Sequence, residues 1–273
     1  MTEPLTEPTA AALPPAIEIR DLHKVYEAAG TVTGRGMHAV DGLTVTVPQG
    51  SFFGFLGPNG AGKTTTIKIL MGIAKPTSGV VQVLGMKMPE QSLEIRKRLG
   101  LVPDDTLLFD YLTGFEYLEF VARLYGLQRA TARARSQELL KLFELEGNER
   151  KLIGEYSKGM RKRVAMAAAL IHRPSLFLMD EPFEGVDAVG ARLMKNILLD
   201  QVRQGATVFL TSHVLDVVER LCDEIAIVNH GKVVAQGTIA ELSAQTAAGS
   251  TTLEDIFVRL VGGDRQSEAL DWL

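Results

Sequence analysis

"GPNGAGKT", Gly57–Thr64, is the stretch whose reading decides the fold. It matches the pattern G-x-x-x-x-G-K-[ST], and its flanks fit. "SFFGFLG", 51–57, reads as a buried strand, and "TTTIKILMGIA" places Ile67, Leu70, Met71 and Ala74 at helical spacing. The chemistry accounts for the spacing. Gly57, Gly60 and Gly62 let the backbone curl so that several N–H groups point at one anion. The helix that begins there adds the positive end of its dipole. Lys63 can reach the outer phosphates of a nucleoside triphosphate, and the Thr64 hydroxyl can ligate Mg²⁺. A Gly-rich turn that merely precedes a lysine is the bland alternative, and strand, loop and helix in succession argue against it.

A second stretch, "LFLMDEP", 176–182, supplies acid groups. Four apolar residues form a buried strand and bring Asp180 to its carboxyl end, the edge where ligands sit in open α/β sheets. A carboxylate there can hold Mg²⁺ through water. Glu181 follows, placed to polarise an attacking water. Alone, "DE" after a strand is usually a solvated strand end. Beside the glycine loop it carries weight.

Composition bounds the rest. The chain has 273 residues, 46% hydrophobic and 23% charged, enough for one large domain or a domain with a lobe. Its 29 Lys and Arg against 33 Asp and Glu give a net charge of -4, which argues against a general nucleic-acid binder. The single cysteine, Cys222, rules out an internal disulfide and reads as an inert core residue in a reducing compartment. "MTEPLTEPTAAALPPA", 1–16, has no positive region ahead of an apolar core; it reads as a flexible tail rather than a secretory signal. The longest apolar run, "VAMAAALI", 164–171, is far short of the roughly 20 residues of a spanning helix. The chain is therefore expected to be soluble, with any membrane span supplied by another protein.

The pattern predicts strands at 17–26 and 43–50, joined by a Gly-containing loop over 27–40. Residues 104–157 form a mostly helical insert. Phe115, Leu118, Ala122 and Tyr125 share one helical face; Leu139, Leu142 and Phe143 share another, in a helix ending at Gly147. Then come helix 158–172, strand 175–180, helix 188–204, strand 206–212, helix 214–221 and strands near 224–229 and 232–236. Strands alternating with helices imply a parallel sheet covered on both faces. Residues 241–273 read as a short extension of helices around a Ser/Thr/Ala/Gly-rich break at 243–252. No internal repeat is visible, so the chain carries one nucleotide module.

Taken together and in order, these motifs resemble the ATP-binding subunit of an ABC transporter, over about residues 17–240. Gly57, Pro58, Asn59, Gly60, Ala61, Gly62, Lys63, Thr64 and Thr65 resemble the Walker A motif, and "LFLMDE" resembles Walker B. "EGVD", 184–187, resembles the D-loop, and "TSHVLD", 211–216, places His213 as the switch histidine. The resemblance implies an α/β fold: a P-loop NTPase (RecA-like) core with N-terminal antiparallel strands and a helical signature subdomain. It implies ATP and Mg²⁺ as cofactors, with Thr64, Asp104 and Asp180 at the metal. Glu181, His213 and Lys63 become the catalytic set. Tyr26 resembles the aromatic residue that stacks on adenine; rim packing is the other reading of that position. The lone histidines His23, His38, His172 and His230 read as structural or solvent-exposed.

In that family two subunits pack head to tail, each completing the other's ATP site. "YSKGM", Tyr156–Met160, occupies the signature position, commonly L-S-G-G-Q. Ser157, Lys158, Gly159 and Met160 would face the partner's γ-phosphate. Lys158 departs from glycine and Met160 from glutamine; the Lys158 cation either adds to that contact or points to solvent. Asp104 departs from the usual glutamine, and Asp105 reads as a solvent-facing loop acid. "RKR", 161–163, reads as a solvated start to the helix. The tail, notably "LEDIF", resembles export-type subunits. The resemblance thus implies a second ATPase subunit, an identical copy or a sister, a separate transmembrane permease, a place on the cytoplasmic membrane face, and no nucleic acid. The alternatives are a soluble ABC-type ATPase acting on nucleic acid or ribosomes, and a regulatory ATP switch with weak turnover.

Overall fold

The structure, a computed structural model, describes residues 14–27, 36–105, 107–148, 150–245 and 252–262. The first elements are β1 (Ile17–Tyr26), β2 (Met37–Val47), β3 (Phe52–Leu56), α1 (Lys63–Leu70), β4 (Ser78–Val83), β5 (Met86–Met88), α2 (Ser92–Arg96) and β6 (Leu99–Val102). The insert contributes α3 (Gly114–Leu124), α4 (Arg129–Leu142) and a 3-10 turn at Ile153–Glu155. Then come α5 (Lys158–Leu170), β7 (Leu176–Asp180), α6 (Ala188–Arg203), β8 (Thr207–Ser212), α7 (Leu215–Leu221), β9 (Glu224–Asn229) and β10 (Lys232–Gly237). The last are α8 (Ile239–Gln245) and α9 (Leu253–Val261).

Two sheets result. The larger runs β10-β9-β3-β8-β7-β6, parallel except for the edge strand β10. The smaller, antiparallel sheet runs β2-β1-β4-β5. Successive strand side chains point to opposite faces, so a strand covered on both sides must be apolar throughout. In β7, Phe177 and Met179 enter one core with Val164 and Met166 of α5 and Met194 of α6. Leu176 and Leu178 enter the other with Ile67 of α1 and Ile19, Val45 and Val81 of the small sheet. The small sheet, with α1, is thus the cover on that face.

Several expectations need correction. Residues 37–40 are strand, not loop: Lys24 pairs with Val40 and Val25 with His38. Glycines in this stretch disguised a strand whose partner lies in β1. Ala16 is fully buried and its N–H donates to Val47 O at 2.8 Å, so ordered packing begins inside the expected tail. Residues 1–13, 28–35, 246–251 and 263–273, with most of that tail and of the break at 243–252, lie outside the described residues. The elements β4, β5, α2 and β6 have no counterpart in the sequence reading.

In α4 the buried face is Ala132, Ser136 and Leu140, one residue away from the expected Leu139 and Leu142, with Phe143 buried just beyond the end. The helix stops at Leu142, because Glu144 takes a left-handed conformation (φ 54°) before Gly147 is reached. In α3, Leu118 and Ala122 are buried as expected, but Tyr125 is partly exposed and stacks on His172 with ring centroids 3.5 Å apart.

His172 gives a pH prediction. One ring nitrogen lies 2.9 Å from Leu99 O, and the other is buried with no partner among the described residues. Burial lowers its pKa from 6.5 to about 4. Between these values the unfolded chain binds the proton and the folded chain does not, so this contribution is present above pH 6.5 and is lost as pH falls towards 4. The loss should be at most about 2 kcal/mol, allowing for the partly exposed ring. Chemical denaturation at pH 7 and pH 4.5 should show it, and His172→Phe should reduce the difference.

Candidate functional site

Most of the predicted site residues converge at the carboxyl ends of β3, β6, β7 and β8. The loop after β3 must be glycine at two points. Gly62 has φ 100°, and a Cβ there would lie 2.4 Å from Ala39 O. A Cβ at Gly57 would lie 2.4 Å from Val228 O. The loop curls around its own lysine: the buried Lys63 Nζ donates to Gly57 O at 2.7 Å and Pro58 O at 3.2 Å. Burial lowers the Lys63 pKa, opposed by the nearby Glu181 and Asp180 carboxylates. Ala61 is buried and its N–H donates to Pro58 O, whereas Asn59 and Gly60 stay exposed.

Asp180 ends β7 almost fully buried. Its Oδ2 accepts from the Thr64 hydroxyl at 3.1 Å, and its Oδ1 accepts from the Thr211 hydroxyl of β8. The next residue turns sharply: Glu181 is left-handed (φ 46°). Its carboxylate meets His213 Nδ1 at 2.9 Å, with Glu181 mostly buried and His213 half exposed. Ser212 Oγ accepts from Val214 N–H at 3.0 Å just after the strand, shaping the turn that carries His213.

A cleft of about 420 Å³ gathers Gly57, Pro58, Asn59, Asp104, Glu181 and His213, with Glu184, Ser212, Leu215 and Phe257 completing its wall. A larger cavity, about 620 Å³, opens between α4, α5 and α6, but none of the predicted site residues lines it. The predicted acids, histidine and phosphate loop meet at the smaller cleft.

The predicted metal residues suit Mg²⁺. The Thr64 hydroxyl and Asp180 carboxylate are hard oxygen donors in contact, and Asp104 lines the same cleft. Among the described residues no cluster of three or more His, Cys, Asp or Glu could cage a metal. Mg²⁺ does not need one, since it keeps waters and substrate phosphates among its ligands.

Other predicted residues lie elsewhere. Tyr26 ends β1 with Lys24 Nζ 4.7 Å from its ring centroid, and it does not line the cleft. Ser157 to Met160 do not line it either. Ser157 caps α5, its Oγ accepting from Met160 N–H at 3.2 Å. Gly159 is buried, and a Cβ there would come within 3.3 Å of Gly185 O. Lys158 is exposed, as one of its two expected courses has it, and its Nζ also pairs with Glu184 of its own chain at 2.7 Å.

The "RKR" expectation is overturned. Arg161 binds Asp110 at 2.6 Å and Ile153 O at 3.1 Å, and Arg163 donates to Phe143 O at 3.3 Å. Lys162 is wholly buried. Charge alone suggested a solvated face, but Lys162 lies four residues before the buried Met166, on the same side of α5. That spacing was the available signal. Thr211 and Phe257 were also passed over; Thr211 is the last residue but one of β8 and pairs with Asp180, whereas nothing local marks Phe257 as a cleft residue.

A glycine loop wrapped on a lysine, a hydroxyl paired with a buried strand-end aspartate, and a glutamate–histidine contact across one cleft define a nucleoside-triphosphate-binding domain of the P-loop class. A family model described as "ABC transporter" matches residues 40–184. The daunorubicin/doxorubicin resistance ATP-binding protein DrrA of Streptomyces peucetius is 38% identical over 97% of this chain and 74% of its own length. The Nod factor export ATP-binding protein I of Ralstonia nicotianae is 38% identical over 84% of this chain and 68% of its own. Among solved structures, an ATP-binding subunit of an ABC transporter superposes with TM-score 0.80 at 30% identity, covering 90% of this chain and 99% of that one. A dimeric bacterial ABC transporter cassette, MJ0796, gives TM-score 0.75 at 25% identity, covering 82% and 98%. The chain belongs to the ABC transporter family, among its ATP-binding proteins. Among the described residues no helix is long and apolar enough to cross a membrane.

Proposed function

We propose that this chain hydrolyses ATP at a head-to-tail interface between two copies of itself, and that the cycle drives export through a separate membrane permease. The observation that carries the reading is the Glu181–His213 contact at the mouth of the phosphate loop. In this mechanism the Glu181 carboxylate takes a proton from the water that attacks the γ-phosphorus, and the bond to the β-phosphate oxygen breaks to release ADP and phosphate. His213 orients that carboxylate and lies within reach of the γ-phosphate. Lys63 exchanges a loop carbonyl for phosphate oxygen and offsets the charge that builds there. Mg²⁺, when bound by Thr64 and Asp180, neutralises phosphate charge. Tyr26 and Asp104 keep the adenine and metal roles assigned by resemblance, Asp104 with the support of its place in the cleft wall.

The second copy is proposed because the segment 157–160 begins α5 away from its own cleft. A partner's ATP gives that helix start an anion to face. A dimeric relative of the same fold supports the arrangement. ATP bound between two copies favours the closed pair by mass action. Export is favoured by the name of the Ralstonia relative, a Nod factor export ATP-binding protein, and by "LEDIF" in α9. The test is trapping of an ATP-bound dimer by Glu181→Gln.

The permease would dock on an apolar patch at the start of the insert. Leu107 and Tyr111 are 84% and 90% exposed, and Phe109 bridges to Tyr117 and Phe120 with ring centroids 6.0 and 5.4 Å apart. Contiguous exposed aromatic surface of this kind marks a partner site. Tyr111→Glu with Leu107→Glu should leave ATP binding within about twofold and sharply reduce recovery of the protein with membranes. Unchanged membrane recovery would place the permease elsewhere. A salt-dependent mobility shift on RNA or DNA would instead favour the nucleic-acid reading.

A further inference from the structure

Lys162 is a charged side chain in the protein interior that the mechanism above does not use. It is 0% exposed. Its Nζ donates to Pro103 O at 3.1 Å, Asp104 O at 2.8 Å and Glu181 O at 3.2 Å. Three ammonium protons thus meet three carbonyls, from the loop after β6 and the loop after β7. The nearest carboxylate contact is longer, Asp104 Oδ1 at 3.9 Å. A cation is costly to bury, and an apolar side chain of similar volume would usually fill such a place without that cost. The arrangement needs a reason beyond packing.

The reason lies in the backbone of Glu181. Its left-handed conformation (φ 46°) is unfavourable for a residue with a Cβ and persists only where surroundings impose it. Three contacts hold it here, one of them within the turn itself, where Glu184 N–H donates to Glu181 O at 3.3 Å. The other two reach outside it: Glu181 N–H donates to Thr211 O at 3.2 Å, and the same Glu181 O accepts from Lys162 at 3.2 Å. The turn takes the chain off the line of β7, with the carboxylate against His213. The same ammonium holds the carbonyls on either side of the Pro103–Asp104 bond, so Asp104 stands at a set distance from Glu181 along the cleft wall. We infer that Lys162 is a positioning residue: it clamps the Glu181 and Asp104 backbones together from below, and so aims the Glu181 carboxylate. The inference rests on the proposed role of Glu181 as base.

Lys162→Met keeps the stem and removes all three donors. With the base misaimed, steady-state hydrolysis should fall at least about tenfold while the KM for ATP stays within about twofold. ATP should still bind, so the variant should accumulate an ATP-bound dimer on a sizing column in Mg-ATP, as Glu181→Gln does. A merely structural lysine would lower the folded fraction, leave turnover per bound ATP unchanged and trap no dimer. Lys162→Gln, which returns amide donors, should recover part of the rate, and it is the variant to read if Lys162→Met does not fold. In single-turnover assays Lys162→Met should add little to Glu181→Gln, because both act through one carboxylate. A full multiplicative loss in the double variant, or wild-type turnover per bound ATP in the folded single variant, overturns the inference. Slow Glu181→Gln beside normal Lys162→Met removes only the lysine's role. Normal hydrolysis by Glu181→Gln removes the base itself, and the role of Lys162 with it.

Discussion

Glu181→Gln should slow ATP hydrolysis by about 10²–10⁴-fold, the range expected for removing a general base. The amide is nearly isosteric, keeps an oxygen facing His213 and preserves the backbone contacts to Lys162 and Thr211. The fold and the phosphate loop should therefore be untouched, and ATP should bind as before. What is lost is the capacity to accept a proton from water. Without hydrolysis nothing opens the closed pair, so the variant should elute as a dimer with ATP and Mg²⁺ and as a monomer with ADP. Near-normal turnover would reject Glu181 as base. A slow variant that stays monomeric with saturating ATP and Mg²⁺ would reject the two-copy site.

Asp180→Asn should separate metal from nucleotide. The carboxylate touches Thr64 through one oxygen and Thr211 through the other, at the end of a buried strand. Asparagine can keep both contacts, one as acceptor and one as donor, so the strand should stay in place. It has no negative charge with which to hold Mg²⁺. Several kcal/mol of charge stabilisation follow the metal, so hydrolysis should drop at least about 100-fold. ATP binding without Mg²⁺ should change little, because the loop N–H groups and Lys63 remain. Isothermal titration with and without Mg²⁺ would show it: added metal strengthens ATP binding to the wild type and should do so weakly in the variant. An equal Mg²⁺ effect in both proteins would move the metal away from Asp180.

Much of the fold was legible because its signals are local. The run before Gly57 and the run before Asp180 are continuous apolar stretches, as strands covered on both faces must be. The glycines of the loop, and the Lys and Thr after them, are demanded by chemistry within a few residues. The antiparallel strands were harder. β4 and β5 are half exposed or short, and β2 starts among glycines, so their strand character comes from pairing with β1 rather than from their own pattern. The misjudged face of α4 has a similar cause. Leu139, Leu140 and Leu142 are all apolar, and only the packing of α3 and α5 selects Leu140.

The sequence by itself determined the chemistry offered to a nucleotide: a loop that must curl, a lysine and hydroxyl at its end, and two adjacent acids after a buried strand. Those are constraints on neighbouring residues, and neighbouring residues are written side by side. The tertiary structure alone decided how these groups are held. It placed Thr211 against Asp180, His213 against Glu181, and Lys158 beside Glu184 at the surface. It also drew the Lys162 ammonium inside, where three carbonyls from two loops replace the water it would otherwise keep. A buried charge is tolerable only when every proton finds an acceptor, and the acceptors here lie about 20 to 60 residues away along the chain, where no local pattern could announce them.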